Sequence, residues 1–468
     1  MILVGALLLV VWGAFAFGAV YPWAYTPLAV GCALVGVLGL TLGDRPVWPD
    51  NRLLVAAIGG IFLVGLVQLV PLPRPLLERI SPGTSLYLTQ FDFGWSRAVD
   101  PTTGIVTKQS HPISLAPALT VTALLLQASL VLFLCGLLRS LSRTSAGRLA
   151  NGLVFIGFAL AVFGIAQKAL LGDNAFDGMR IYGVWKPEDI LSTPFGPYVN
   201  KNHFAGWMLM TIPVTLGLAA AQMQRLTRPL RNFRDVLLWL SAPDGGRMML
   251  YLVVALVMTL SLLMTGSRSG TGCLALLLVG ATLAAGRFLS GRAMLAAGGA
   301  TLLVFMLGLG WAGRDARLER FVSDNESIAM RLDIWRMSAR IVREFPVFGS
   351  GLDTFGTASM AFQAPGRDLH YNEAHNDYIQ LLVEGGILTF LLLLVALASL
   401  VRAAAARLRS RDDGVELHWI RVGAVAGLSL AGIQALVEFS LQMPGNAALF
   451  VVLLALALFR PAQLRTHP

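Results

Sequence analysis

Long apolar runs separated by short polar connectors set the pattern of this chain. The runs fall near residues 2–20, 25–43, 53–70, 115–138, 149–171, 204–222, 248–265, 270–286, 294–312, 378–401, 419–438 and 444–460. Most approach the roughly 20 apolar residues that a helix needs to span a bilayer. They are uniformly apolar rather than alternating, so helices are predicted and barrel strands are not. The predicted fold class is all-α: a polytopic integral membrane protein of about twelve transmembrane helices. A large loop between the ninth and tenth spans is predicted to contain an amphipathic helix. The run 2–20 lacks a basic start and is long for a signal-peptide core. It is read as the first span, with a cleavable signal as the alternative.

The connectors then fix an orientation. Arginine crowds one set of them: Arg45, Arg52, Arg139, Arg143, Arg148, Arg225, Arg228, Arg231, Arg234, Arg247, Arg287, Arg292, Arg402, Arg407, Arg409, Arg411, Arg421, Arg460 and Arg465 are all assigned there. Basic connectors stay on the cytoplasmic side, which predicts both termini in the cytoplasm and loops 71–114, 172–203 and 313–377 facing outward. Three regions follow. Residues 1–190 hold the N-terminal spans and loop 71–114, residues 191–400 hold a central region with loop 313–377, and residues 401–468 hold the C-terminal spans.

Composition agrees. Hydrophobic residues make up 56% of the chain and charged residues 13%, against about 25% charged in an average soluble domain. Mean hydropathy is +0.69. The net charge of +10 follows membrane sidedness rather than clustering on a soluble surface, so nucleic acid is not an expected partner; membrane lipids are. Cys32, Cys135 and Cys273 each sit in an apolar run without a C-x-x-C pair, which predicts neither a disulfide framework nor a zinc site.

Loop 313–377 carries the strongest local signals. Ser323-x-x-Glu326 has the form of a capping box. Ile328, Leu332, Trp335, Ala339 and Val342 follow at helical spacing as one apolar stripe, with Arg336, Arg340 and Arg343 as a second, basic stripe. Pro346 should end this helix. The basic face suits either a membrane surface or plain solvation.

The polar residues at the ends of spans supply candidate chemistry. Arg268, in Thr265-Gly266-Ser267-Arg268-Ser269-Gly270, lies in a predicted outer turn, where its planar donors suit a phosphate; snorkelling is the other reading. His375 opens a span with Asn376 and Asp377 beside it, as a general base or as polar surface. Lys201 and His203 form a further cluster in Asn200-Lys201-Asn202-His203. Asp377, Gln380 and Glu384 share one helix face, and Gln434 and Glu438 share another; both faces should turn into the bundle, with hydrogen bonding between helices as their first role. Together, Lys201 and His203, Arg268, and the stretch from Arg331 to His375 predict an outward pocket for an anionic lipid head such as a pyrophosphate. No Asp-rich motif is present there to hold a divalent metal. Walker and dinucleotide-binding glycine patterns are absent from suitable contexts, so no cofactor is expected.

These residues resemble the O-antigen ligase and polymerase superfamily of bacterial envelope enzymes. The resemblance rests on Gly266-Ser267-Arg268-Ser269-Gly270, Arg331-Leu332-Asp333-Ile334-Trp335, Pro346-x-x-Gly349-x-Gly351, and His375-Asn376-Asp377-Tyr378 leading to Glu384-Gly385-Gly386. Asn200 to Gly206 is similar to polymerase-like members. The resemblance implies a metal-independent, inverting, C-type glycosyltransferase in the bacterial inner membrane. Its donor would be a glycan on undecaprenyl pyrophosphate and its acceptor a glycan or lipid A core. Arg268 and Arg331 would grip the pyrophosphate, and His375 would act on the acceptor hydroxyl as base or by orienting it. Lys201, His203, Arg336, Asn376 and Glu384 are the expected substrate-binding residues. A transporter or lipid-linked glycan flippase is the competing class.

Overall fold

The computed structural model describes residues 1–45, 52–96, 102–104, 110–171, 180–186, 193–225, 233–285, 298–299, 306, 319–363, 370–410 and 414–461. Helices account for nearly all of its regular structure. Among the described residues, six are long and apolar enough to cross a membrane: Pro22–Leu42, Pro117–Ser140, Arg143–Leu170, Lys201–Gln224, Pro243–Met264 and Asp377–Leu408. Shorter apolar helices cover Ile2–Phe15, Arg52–Val67, Arg268–Leu283 and Pro444–Leu458, and a further helix covers Gly414–Gln434. The chain is an all-α integral membrane protein. The expected span at 294–312 lies almost wholly outside the described residues.

Several boundaries differ from expectation for identifiable reasons. The first helix stops at Phe15 instead of continuing to residue 20, because Phe17, Gly18 and Ala19 all adopt positive φ, which an L-residue helix cannot continue through. The Gly414–Gln434 helix ends four residues before Glu438, so this acid lies in the turn beyond that helix, where the apolar run 419–438 had placed it inside a span. Helix Glu319–Glu344 begins before Ser323, so Ser323 is not its N-cap. It does end immediately before Phe345-Pro346, as the proline requires. Its buried face is shifted from the expected stripe: Ile334, Met337 and Ile341 are buried, Trp335 and Val342 of the stripe pack partly buried against the same core, and Leu332 is 42% exposed. Two apolar stripes at helical spacing compete on this helix, and the one that meets Leu115, Phe355, Ala374 and Val383 wins. Arg336, Arg340 and Arg343 are exposed, as their stripe predicts.

At the centre stands Lys201–Gln224, buried along nearly its whole length. It packs tightly on Gly414–Gln434 because the latter presents glycines: a Cβ at Gly423 would come within 2.5 Å of the Pro213 carbonyl oxygen, and one at Gly427 within 2.5 Å of that of Met210. Small residues permit this backbone approach in membranes, where packing rather than hydrophobicity drives helix association.

Loop 71–114 forms short helices Arg74–Ile80, Pro82–Phe91 and Phe93–Ser96, closed by an antiparallel pairing of Leu72–Pro73 with Ser110–His111. Leu77, Leu88, Trp95 and Ile113 form its small core.

The Asp377–Leu408 helix is broken. Gly386 adopts φ 67° and ψ −176°. The backbone groups freed by the break are met by the segment after Pro346: Ser350 N–H donates to the Val383 carbonyl and Gly351 N–H to that of Glu384, both at 3.0 Å, while Ile387 N–H donates to the Pro346 carbonyl at 2.9 Å. A Cβ at Gly349 would collide with the Glu384 carbonyl and one at Gly386 with that of Val347. The Pro346-x-x-Gly349-x-Gly351 motif is thus the strap that fits Glu384-Gly385-Gly386. Irregular backbone at membrane depth is tolerable only when protein satisfies it this way.

Candidate active site

The polar clusters from distant stretches meet around Glu438. Arg331, on helix Glu319–Glu344, places Nη2 2.6 Å from Glu438 Oε1. Asn202, at the head of Lys201–Gln224, donates to the same oxygen at 2.9 Å. Ser269 Oγ donates to it at 3.5 Å. The second oxygen, Oε2, lies 3.9 Å from Nδ1 of His375. Phe439 is gripped edge-on between two imidazoles, with ring centroids 4.6 Å from His203 and 5.0 Å from His375. Four separate stretches of sequence therefore converge on the turn that follows Gly414–Gln434.

Local chemistry explains how each side chain gets there. Asn200 accepts a hydrogen bond from the Asn202 N–H and caps the Lys201–Gln224 helix, as Asn does well at this position. The next turn then aims Asn202 and His203 at Glu438 and Phe439. Asn446 holds the His203 carbonyl at 3.0 Å and accepts from the Tyr198 hydroxyl at 3.1 Å. Asn376 caps Asp377–Leu408 by accepting from Tyr378 and Ile379 N–H groups, each at 3.0 Å. Its own NH₂ donates to the Leu436 carbonyl at 2.7 Å, which ties the His375 segment to the Glu438 turn. The Asp377 N–H adds a bond to the Ala435 carbonyl at 2.9 Å. His375 itself adopts φ 49°, a left-handed conformation that a non-glycine residue keeps only when its surroundings impose it.

Electrostatics at the centre favour an ionised carboxylate. Burial pushes the Glu438 carboxyl up, but His375, Arg331 and His203 together outweigh that and hold it below its ordinary value. With its side chain 2% exposed, this is an anion kept charged by surrounding cationic and polar groups.

Each residue singled out in the sequence has a definite place. Arg331, His375 and His203 belong to the cluster. Arg268 opens the Arg268–Ala285 helix, exposed, one residue before Ser269. Lys201 is half-buried at the start of its helix, one residue before Asn202. Asn376 is occupied as cap and clamp. Glu384 is buried beneath the strap, accepting from Asp353 N–H at 2.9 Å, Phe355 N–H at 3.2 Å and Gln380 at 3.1 Å. Arg336 lies on the exposed face of its helix, paired with Asp333 at 3.1 Å. Asn202, Ser269, Glu438 and Phe439 join the cluster without having been sought as substrate contacts. Glu438 had a signal, a carboxylate four residues after Gln434 beside an apolar run. Phe439 had none.

The cluster brings a guanidinium, two imidazoles and an anchoring carboxylate to one spot beside an exposed second arginine. Such a set can bind an anion and move a proton. No curated protein matches the chain closely enough to count as a relative. Residues 253–394, which include Arg268, Arg331, His375 and Glu384, match the family model described as O-antigen ligase, so this segment is similar to that family.

Proposed function

We propose that the chain is a metal-independent, inverting, C-type glycosyltransferase of the bacterial inner membrane. It takes a glycan from undecaprenyl pyrophosphate at the outer face and passes it to a hydroxyl of a glycan or of lipid A core. The reading includes about twelve spans, both termini in the cytoplasm, and a catalytic region over residues 191–400 between N-terminal and C-terminal helices. The observation that carries it is the convergence of Arg331, His203 and His375 on Glu438, with Arg268 adjacent to Ser269, inside and beside a segment similar to the O-antigen ligase family.

The chemistry follows from these groups. Arg268 and Arg331 bind the pyrophosphate and stabilise the charge that grows on it. The acceptor oxygen attacks the anomeric carbon from the face opposite the leaving group. The bond from that carbon to the pyrophosphate oxygen breaks, and the pyrophosphate keeps the electron pair. The acceptor's proton passes to an imidazole nitrogen of His375, acting as general base. Holding donor and acceptor in line supplies much of the remaining acceleration. Lys201, His203 and Arg336 are assigned to the sugars and phosphates, and Asn376 and Glu384 to the framework that carries His375. The Asn200–Gly206 segment inclines the reading towards joining repeat units over ligation to lipid A core.

A transporter or flippase reading draws on one observation, the break at Gly386, because transporters often bind cargo at discontinuous helices. Here the strap after Pro346 fills the break with protein backbone, which favours the enzyme. The deciding experiment gives purified protein a lipid-pyrophosphate-linked glycan and an acceptor in detergent. Transfer in the absence of a sealed membrane supports the enzyme; movement across vesicles without transfer refutes it.

A further inference from the structure

Two buried polar atoms face each other across the cluster. His375 Nδ1 and Glu438 Oε2 lie 3.9 Å apart, and neither has a hydrogen-bond partner among the described residues. A buried polar atom left unmet is costly, so each has reason to close on the other. The remaining carboxylate oxygen is already engaged by Arg331, Asn202 and Ser269. This anchors the carboxylate while leaving Oε2 turned to the imidazole. A movement of about 1 Å brings the pair to an ordinary N–H···O length.

We propose that Glu438 is a positioning residue for His375: its Oε2 accepts the Nδ1–H of the imidazole, which fixes the tautomer that leaves Nε2 open to the acceptor hydroxyl. When Nε2 takes the acceptor's proton, the new oxygen–carbon bond forms and the pyrophosphate leaves with its electron pair. The imidazolium then rests against a carboxylate that stays ionised throughout. The charged or titratable groups facing this pair are Arg331 from helix Glu319–Glu344, His203 from Lys201–Gln224 and Asp377 from Asp377–Leu408. A pyrophosphate that draws on Arg331 leaves Glu438 more of its charge for His375, so donor arrival prepares the base. The proposal rests on the glycosyl-transfer reading of this site.

The test measures the titration of His375 directly. Full-length protein in detergent is treated with diethylpyrocarbonate, which modifies neutral imidazole, across a pH series, and modification of the His375 peptide is read by mass spectrometry. Glu438→Gln should move the half-modification point to lower pH by about one unit or more, and Glu438→Asp should stay near the parent. Arg331→Gln, which leaves the carboxylate in place, should hold the point or raise it. Superimposable titrations of the parent and Glu438→Gln overturn the proposal, as does a fall in Arg331→Gln. Should Glu438→Gln fail to fold, the comparison of Arg331→Gln with the parent still decides. In cells lacking the native gene, envelope glycans on a gel should show at least tenfold less product with Glu438→Gln and partial rescue with Glu438→Asp. If His375→Ala keeps transfer while Glu438→Gln shifts the titration, the glycosyl-transfer role fails and the pairing survives. If His375→Ala abolishes transfer and the titration does not move, the positioning role alone fails.

Discussion

Arg331 and Glu438 stand 107 residues apart in the chain and meet at 2.6 Å. The Glu438 side chain is almost fully buried and the Arg331 side chain 26% exposed. Removing one partner of a buried pair strands the other charge, at roughly 3–5 kcal/mol when both are inside. Arg331→Met should therefore destabilise the protein by about 2–3 kcal/mol, less than the full amount because water reaches the arginine and Asn202 still holds the carboxylate. Thermal unfolding in detergent measures this; an unchanged melting temperature means the pair contributes nothing net.

The state of Glu438 also sets a pH dependence. Its carboxyl is held below the ordinary value of 4.5, so the folded state binds a proton less readily than the unfolded chain. The stability this adds is complete above that ordinary value and is lost only as pH falls through the lowered one. The Glu438 contribution, read as the difference in melting temperature between the parent and Glu438→Gln, should thus hold steady from neutral pH down to the usual carboxylate range and decline below it. Glu438→Gln should melt below the parent on that plateau and lose less as the pH falls further. A decline as steep in Glu438→Gln as in the parent assigns acid sensitivity to other groups.

His375→Ala should cut transfer by about a hundredfold to ten-thousandfold, the usual share of a general base. Arg268→Ala should cut it by roughly a hundredfold or more, as loss of a charge-stabilising donor does. Protein levels should be unchanged in both. Near-normal glycan on a gel from either variant removes that residue from the mechanism.

Transfer should persist in excess EDTA, since the proposed site stabilises pyrophosphate with arginine in place of a divalent cation. Complete inhibition by EDTA that magnesium reverses contradicts the mechanism.

Gly386→Ala should lower stability by on the order of 3 kcal/mol, because φ 67° disfavours a side chain and the new Cβ would collide with the Val347 carbonyl. Yield of folded protein and its melting temperature report the effect. A variant that melts with the parent shows that the strap yields at little cost.

How much of this was legible in the sequence follows from the kind of signal each feature leaves. Apolar length marks membrane helices directly, and Pro346 marked the end of the Glu319–Glu344 helix. Length alone says nothing of three consecutive positive φ angles at Phe17–Ala19, which depend on packing against residues such as Tyr198 and Gly445. Facing is equally hidden where two stripes compete, as Leu332 and Ile334 show: only the partner surface chooses between them. His375 and His203 were legible as polar residues at span ends, and Arg331 as the start of a motif in the outer loop. Their common partner was not, because nothing local relates Glu438 to Asn202 or Arg331. Asn376 and Glu384 illustrate the converse. Polar residues beside a candidate base invite a substrate role, yet Asn376 already serves as a helix cap and Glu384 already accepts from the backbone of the strap. Glu438 also lies beyond the stretch matched to the O-antigen ligase family, so that segment does not contain its own anchoring carboxylate.

Because the chain after Pro346 shares main-chain bonds with the interrupted helix at Gly386, the base of this loop and that span move as one piece. Swinging the loop aside like a flap would tear open the span's own backbone. Any gate admitting a lipid-borne sugar chain must therefore hinge elsewhere along the rim.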